Sequence, residues 1–231
     1  MKPNPTVIDH FSSAARSYDE KNQQLASIAE NMHFLIRLIL KNAPARARVL
    51  CVGVGTGAEI LSLAGAFPEW RFVGVDPSEG MLEVCREKLK SVGVYDRCEL
   101  IQGYVHDVPN TQSFDIVLSI LVGHFVKGED RLAFYKAMVD RLCIDGILVN
   151  TEISFDLDAP EFPLMLKNWE SVQLLMGATP ESIANLSQVL REMLSVISPQ
   201  ETERLLQKSG IQLPVRFYQA FMISGWYGIK N

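Results

Sequence analysis

The sequence predicts an α/β fold on a doubly wound, mostly parallel sheet. Three observations predict it. Short apolar runs alternate with amphipathic stretches between residues 48 and 153. The first run opens into a glycine-rich turn, and the chain finishes in two β-rich runs too close together for a helical crossover. At 231 residues, 48% hydrophobic and 21% charged, the chain suits one domain with a sizeable core over 1–231.

The elements follow in order. Within residues 21–41, Leu25, Ile28, Met32, Leu35, Ile36, Ile39 and Leu40 recur at helical spacing until Asn42 and Pro44 stop them. Arg48 to Val52 is too short for a helix and reads as a buried parallel strand. A helix over 58–66 breaks near Pro68, Trp70 to Val75 is a second strand, and Glu79 to Lys90 a second crossover helix with Met81, Leu82, Cys85 and Leu89 inward. Strands at Cys98 to Ile101, Phe114 to Ile120 and Gly146 to Ile153, with a helix over 129–142, continue the alternation. Such alternation implies right-handed crossovers and a sheet covered on both faces. Residues 154–163, with three acids and two prolines, form a loop. Helices over 164–176, 180–196 and 199–209 come next, the last capped by Gly210. Runs at 211–218 and 220–229 make an antiparallel pair, bringing the strands to seven.

Charge and cysteine narrow the classes. Lys and Arg total 22 against 27 acids, for a net charge of −5, so no basic field holds a phosphate backbone; a local patch remains the one route to RNA. No apolar run reaches the ~18 residues of a membrane span, and Met32 to Leu40 is interrupted by His33 and Arg37. The polar, Pro-containing start from Met1 to His10 is unlike a secretory signal. Cys51, Cys85, Cys98 and Cys143 form no close pair and no zinc spacing, so free thiols, a reducing cytoplasmic home and no metal site are expected.

The chemistry concentrates at Gly53-Val54-Gly55-Thr56-Gly57, between the first strand and the first crossover helix. Glycines let the chain turn tightly and admit a ligand against bare backbone, and the helix start offers unpaired N–H groups. Asp76 closes the second strand nineteen residues beyond Gly57, where a carboxylate can accept both hydroxyls of a ribose. Glycines alone also fit a plain strand-to-helix turn. Gly53, Gly55 and Ala58 further satisfy the dinucleotide pattern, so a nicotinamide enzyme stays a rival.

The chain resembles the class I S-adenosylmethionine (SAM) dependent methyltransferases over nearly its full length. The matching segments are Val49 to Gly57, Gly74-Val75-Asp76-Pro77-Ser78-Glu79-Gly80-Met81-Leu82, Ile101-Gln102-Gly103, and Ser113 to Ser119. The resemblance implies a Rossmann-like seven-stranded sheet with an antiparallel last strand, N-terminal helices and a helical insert. SAM is then the cofactor and S-adenosylhomocysteine (SAH) the product. It implies that Gly53, Gly55 and Gly57 lie against the methionine part of SAM, that Asp76 binds the ribose, and that Met81 flanks adenine. Val105 stands where a backbone N–H meets adenine, and Ser119 near the methionine tail. Phe11, Ala15, Tyr18 and Asp19 resemble a segment folded over the cofactor, with Tyr18 covering the sulfonium. On this reading residues 1–44 form an N-terminal cap and 154–197 a substrate-recognition insert, whose Phe155, Phe162, Met165, Trp169 and Met176 pack on the sheet or line a pocket.

Two positions depart from the family. Cys51 stands where an acid is usual, so the ammonium group of SAM must turn to carbonyls or to another acid such as Asp19. Tyr104 stands where an Asp often holds the adenine amine, and would stack on adenine or donate to it. His124, after the fourth strand, is the candidate general base, with a pKa expected to suit that task. Asp107 reads as a turn residue, and His10 and His33 as structural. The expected function is methyl transfer to a small-molecule acceptor. Within the class the chain is similar to the carboxy-SAM synthases of tRNA modification, through its insert and the run Phe217-Tyr218-Gln219-Ala220-Phe221. That subgroup relies on an arginine where Leu205 stands here, with Arg204 about 100° around the helix. A non-catalytic SAM-binding module is a third reading. The oligomeric state, a homodimer included, is left open.

Overall fold

The computed structural model describes residues 5–110 and 113–231. Residues 1–4 of the expected cap, and residues 111 and 112, lie outside the described residues. The chain runs α1 (Pro5–Asn22), α2 (Ala26–Leu40), β1 (Arg48–Val52), α3 (Ala58–Ala66), β2 (Arg71–Asp76), α4 (Glu79–Ser91), β3 (Cys98–Gln102), β4 (Phe114–Ile120), α5 (Gly128–Arg141) and β5 (Leu142–Ile153). It continues through α6 (Phe162–Leu175), α7 (Pro180–Ala184), α8 (Leu186–Gln188), α9 (Pro199–Ser209), β6 (Val215–Ala220) and β7 (Ile223–Ile229).

The seven strands form one sheet in the order β3-β2-β1-β4-β5-β7-β6. Strands β1 to β5 are parallel, and β7 runs antiparallel to both β5 and β6. The last strand thus enters between β5 and β6, a placement that the two terminal β-rich runs alone did not decide.

Strand alternation divides the core in two. Val49 and Cys51 of β1, Phe72 of β2 and Ile116 and Leu118 of β4 pack with α2, α3, α4 and the insert. Leu50, Val52, Val73, Val75 and Val117 point to the other face, against Phe134 and Met138 of α5 and Leu206 of α9. Each uniformly apolar run is therefore buried on both sides, as a parallel sheet requires.

Three boundaries differ from the expectation. The 21–41 periodicity begins as a helix only at Ala26, because α1 occupies residues up to Asn22 and a 3-10 turn, Gln23–Leu25, joins the two. The fifth strand starts at Leu142, paired with Phe114, and bulges before Ile147 meets Ile116, with Asp145 at φ 61. The helix expected over 180–196 is broken. The Asn185 side chain donates to the Glu181 carbonyl, and a π-helical turn takes over at Val189–Met193. Local amide bonding of this kind competes with continuous helix.

Candidate functional site

The glycine turn is shaped by three left-handed residues, Gly53 (φ 70), Gly55 (φ 51) and Gly57 (φ 84). Two have neighbours that forbid a side chain: a Cβ on Gly53 would stand 2.4 Å from Val122 Cγ2, and one on Gly57 2.6 Å from Cys85 Sγ. Gly55 has nothing within 4 Å of that position, so its backbone is bare toward a cavity.

Asp76, only 8% exposed, ends β2 directly beside this turn. Its Oδ2 accepts the Gly55 N–H at 2.9 Å and its Oδ1 the Ser78 N–H at 2.9 Å. Burial pushes its pKa up, and these two N–H groups pull against that rise. Each oxygen keeps acceptor capacity beyond these bonds. Ser78 caps α4 by accepting the Met81 N–H, and its hydroxyl meets that of Ser12 on α1 at 2.8 Å.

The cavity has a volume of about 520 Å³. Its lining includes Gly53, Gly55, Asp76, Met81, Tyr104 and Val105 from the strand ends and the loops after them, and Trp169, Met176, Leu186 and Val189 from the insert. Helix α1 roofs it: Phe11 and Tyr18 line it, and the Phe11 ring meets the Phe125 ring edge-on at 5.3 Å. The helix is seated by close approach, since a Cβ on Gly80 would fall 2.8 Å from the Ser12 carbonyl oxygen.

The residues present fit an adenosyl ligand. A carboxylate with spare lone pairs faces a bare backbone turn, and the Tyr104 hydroxyl, buried without a partner, awaits a polar group. Residues 49–146 match the family model described as a methyltransferase domain. A carboxy-SAM synthase from Campylobacter lari is 21% identical over 92% of this chain and 90% of its own length. One from Nautilia profundicola is 22% identical over 91% and 89%. Among solved structures, magnesium protoporphyrin IX methyltransferase from Synechocystis with bound SAH superposes at a TM-score of 0.71, with 14% identity over 98% of this chain and 99% of that one. A putative O-methyltransferase from Nostoc punctiforme superposes at 0.70 with 16% identity; it covers 95% of this chain, which spans 60% of that longer one. Residues 49–146 thus match a methyltransferase domain, and the fold is that of the SAM-dependent methyltransferases.

On this methyltransferase fold, most of the sequence-predicted residues converge. Gly53, Gly55, Asp76, Met81, Tyr104, Val105, Tyr18 and His124 all line the cavity. Gly57 instead caps the start of α3. Ser119 departs from expectation. It is fully buried, paired with Val52 and Asn150 inside the sheet, and the cavity wall is formed by the next residue, Ile120.

Asp19 is not a free acid for an ammonium group. Its Oδ1 accepts from the Thr56 hydroxyl at 2.7 Å and its Oδ2 pairs with Lys88 Nζ at 2.9 Å, which ties α1 to the glycine turn and to α4. Cys51 is fully buried with its thiol pushed well up, so it carries no charge. Tyr104 stacks face to face with His106, its centroid 5.5 Å away, while Asp107 accepts the Tyr104 N–H at 2.8 Å.

His124 corrects the expectation of a pKa suited to base catalysis. It is 3% exposed, and burial together with the Arg131 charge pushes its pKa down to about 3. Its Nδ1 accepts the Ile153 N–H at 3.2 Å.

Sequence reasoning missed two features. Glu59, in the first turn of α3 and 7% exposed, has its pKa pushed up to about 8, first by burial and then by Asp76. The only signal was an acid at a helix start. Glu152 and Arg131 form a fully buried ion pair at 3.0 Å, with Tyr135 and Thr202 donating to the same carboxylate at 2.8 and 2.7 Å. The Arg131 guanidinium also donates to the Val126 and Ser195 carbonyls, locking the loop after β4 to the end of the insert. Nothing in the sequence spacing of these four residues announces the network.

Among the described residues, no group of three or more His, Cys, Asp or Glu is placed to hold a metal, and no helix is long and apolar enough to cross a membrane.

Proposed function

We propose that this methyltransferase transfers the methyl group of SAM to a small-molecule acceptor held between α1 and the insert. The supporting observation is that one cavity is lined both by Asp76 and bare Gly55 and by Trp169 and Met176 of the insert. When bound, SAM supplies a methyl group on a sulfonium that is already a good leaving group. The chain supplies position, and holding reactants in line accounts for much of the acceleration.

In this reading Gly53, Gly55 and Gly57 shape the turn for the methionine part, and Asp76 takes the ribose hydroxyls on its remaining lone pairs. Met81 and the Val105 N–H flank adenine, with Tyr104 at its edge. The Tyr18 ring covers the sulfonium, where an aromatic face favours a cation. Ser119, behind the wall, is outside the contacting set. Residues 1–44 act as the cap and 154–197 as the recognition insert, whose Trp169, Met176 and Leu186 wall the acceptor end.

The carboxy-SAM synthase reading rests on the relatives of that name. Against it stands the disposition of α9. Leu205 is buried in the core, and Arg204 points away, paired with Glu201. Among the described residues, no arginine lines the cavity.

The test is calorimetry with SAM and SAH, mass spectrometry of ligand copurifying with the protein, and an acceptor screen that reads SAH release. Binding of both ligands with repeated turnover supports the proposal. A copurified carboxylated SAM would overturn it in favour of the synthase, and SAM binding with no turnover on any acceptor in favour of a non-catalytic module.

A further inference from the structure

The proton inventory of the cavity bears on what the acceptor is. His124 sits in the 3-10 turn Gly123–Phe125 that follows β4 and lines the cavity. Its Nδ1 lone pair is taken by the Ile153 N–H of β5. A neutral imidazole whose Nδ1 accepts must carry its proton on Nε2. No described group bonds Nε2, and the residue lines the cavity, so the ring offers the acceptor a donor and has no lone pair left to take a proton.

The surroundings fix this state. Arg131 of α5 packs near His124 and is committed to Glu152, whose oxygens are also bonded by Tyr135 of α5 and Thr202 of α9. The adjacent Gly123 leaves room for the Glu152 carboxylate alone, since a Cβ there would stand 1.9 Å from its Oε2. No uncommitted carboxylate is therefore at hand to stabilise an imidazolium, and the Arg131 charge opposes one.

None of the other titratable groups on the lining is among the charges that bear on His124. Asp76 is already bonded by the Gly55 and Ser78 N–H groups. Burial and the nearby acids Glu59, Asp19 and Asp76 keep the Tyr18 hydroxyl protonated. His10 is exposed on α1, and Asp130 is half-buried in the first turn of α5 beside exposed Lys127. The insert's part of the lining is apolar apart from Gln173, and the lysines on the lining, Lys21 and Lys127, form no ion pair among the described residues.

We infer that the acceptor is a hydrophobic carboxylic acid, methylated on an oxygen already ionised at neutral pH, with His124 donating from Nε2 to position that carboxylate. This rests on the methyl-transfer reading and names the substrate class within it. An oxygen lone pair forms the new O–CH3 bond, the C–S bond breaks with its electron pair going to sulfur, and the products are a methyl ester and neutral SAH. No proton changes hands, so no base is required, whereas an alcohol would have to lose one.

The experiment screens apolar aliphatic and aromatic carboxylic acids against the matching alcohols and phenols, with SAM-loaded wild-type protein, His124→Gln and His124→Leu. SAH release and base-labile methylated product mass are the readouts. The expected result is ester formation from acids alone, with kcat/KM level between about pH 6 and 8. His124→Gln, which keeps an N–H donor, should stay within a fewfold of wild type. His124→Leu should raise KM about tenfold or more, the loss of a hydrogen bond to a charged group. Thermal unfolding of both variants separates this from misfolding, and rescue by Gln separates it from a merely structural role. Turnover confined to alcohols or phenols, with a rate rising through a pKa that both variants abolish, would overturn the acid class and leave methyl transfer standing. SAM binding without SAH release from any acceptor would overturn both.

Discussion

The Asp76 carboxylate accepts the Gly55 N–H at 2.9 Å, joining the end of β2 to the glycine turn after β1. The acid and the bare backbone are thereby one preorganised unit. Gly53 and Val54 reinforce it by donating to the Val75 carbonyl at 2.8 and 3.1 Å.

Asp76→Ala is expected to weaken SAM binding by more than tenfold, since it removes hydrogen bonds to a charged group. Asp76→Asn should recover part of that affinity. Burial holds the wild-type carboxyl above its ordinary range, so it takes up a proton sooner as pH falls. Wild-type affinity should therefore decline on acidification, and the Asn variant should lose that decline. Calorimetric titrations across pH check both.

Gly55→Ala and Gly57→Ala should separate binding from stability. Both positions are left-handed, which costs an L-residue roughly 1–2 kcal/mol. At Gly57 the added methyl also strikes Cys85 Sγ, so urea denaturation should register a larger loss there. At Gly55 the methyl enters the cavity, so SAM affinity should fall severely with only the smaller stability loss.

Glu59 makes a prediction about pH. Its folded pKa of about 8 lies above the ordinary 4.5, so the folded state binds more protons than the unfolded chain between those values. Stability from this group is thus full below about pH 4.5 and is lost as pH rises toward 8, at up to roughly 1.4 kcal/mol per pH unit. Glu59→Gln should flatten that fall and raise the melting temperature at pH 8 relative to wild type. Thermal scans from pH 5 to 9 test this.

Removing Glu152 should damage the fold more than removing Thr202. Glu152→Ala strands the fully buried Arg131 charge and the Tyr135 hydroxyl, at a cost of about 3–5 kcal/mol. Thr202→Val deletes one donor to that carboxylate and should cost about 1–3 kcal/mol. Equal midpoints in chemical denaturation would contradict the ranking.

The sheet, its crossovers and the glycine–acid pair were readable in the sequence because each is a local pattern. Val49 to Val52 is uniformly apolar and too short for a helix, and Gly53 to Gly57 can only be a tight turn. The break at Asn185 was not readable, since a single amide's choice to bond the Glu181 carbonyl overrides an apolar periodicity that looks continuous. Ser119 was placed near the methionine tail by motif position, yet its side chain is fully buried and is not on the cavity lining.

By itself, then, the sequence determined the order of strands and helices, the turn that exposes backbone and the carboxylate that faces it. Those depend on side-chain periodicity and on the conformational freedom of glycine, which neighbours along the chain encode. The tertiary structure decided that β7 would enter between β5 and β6, that Asp19 would be bound by Thr56 and Lys88, and that His124 would be buried with its Nδ1 accepting the Ile153 N–H. Each of these follows from groups distant in sequence meeting at close range, where burial and the hydrogen bonds available set the protonation state and direction of a side chain.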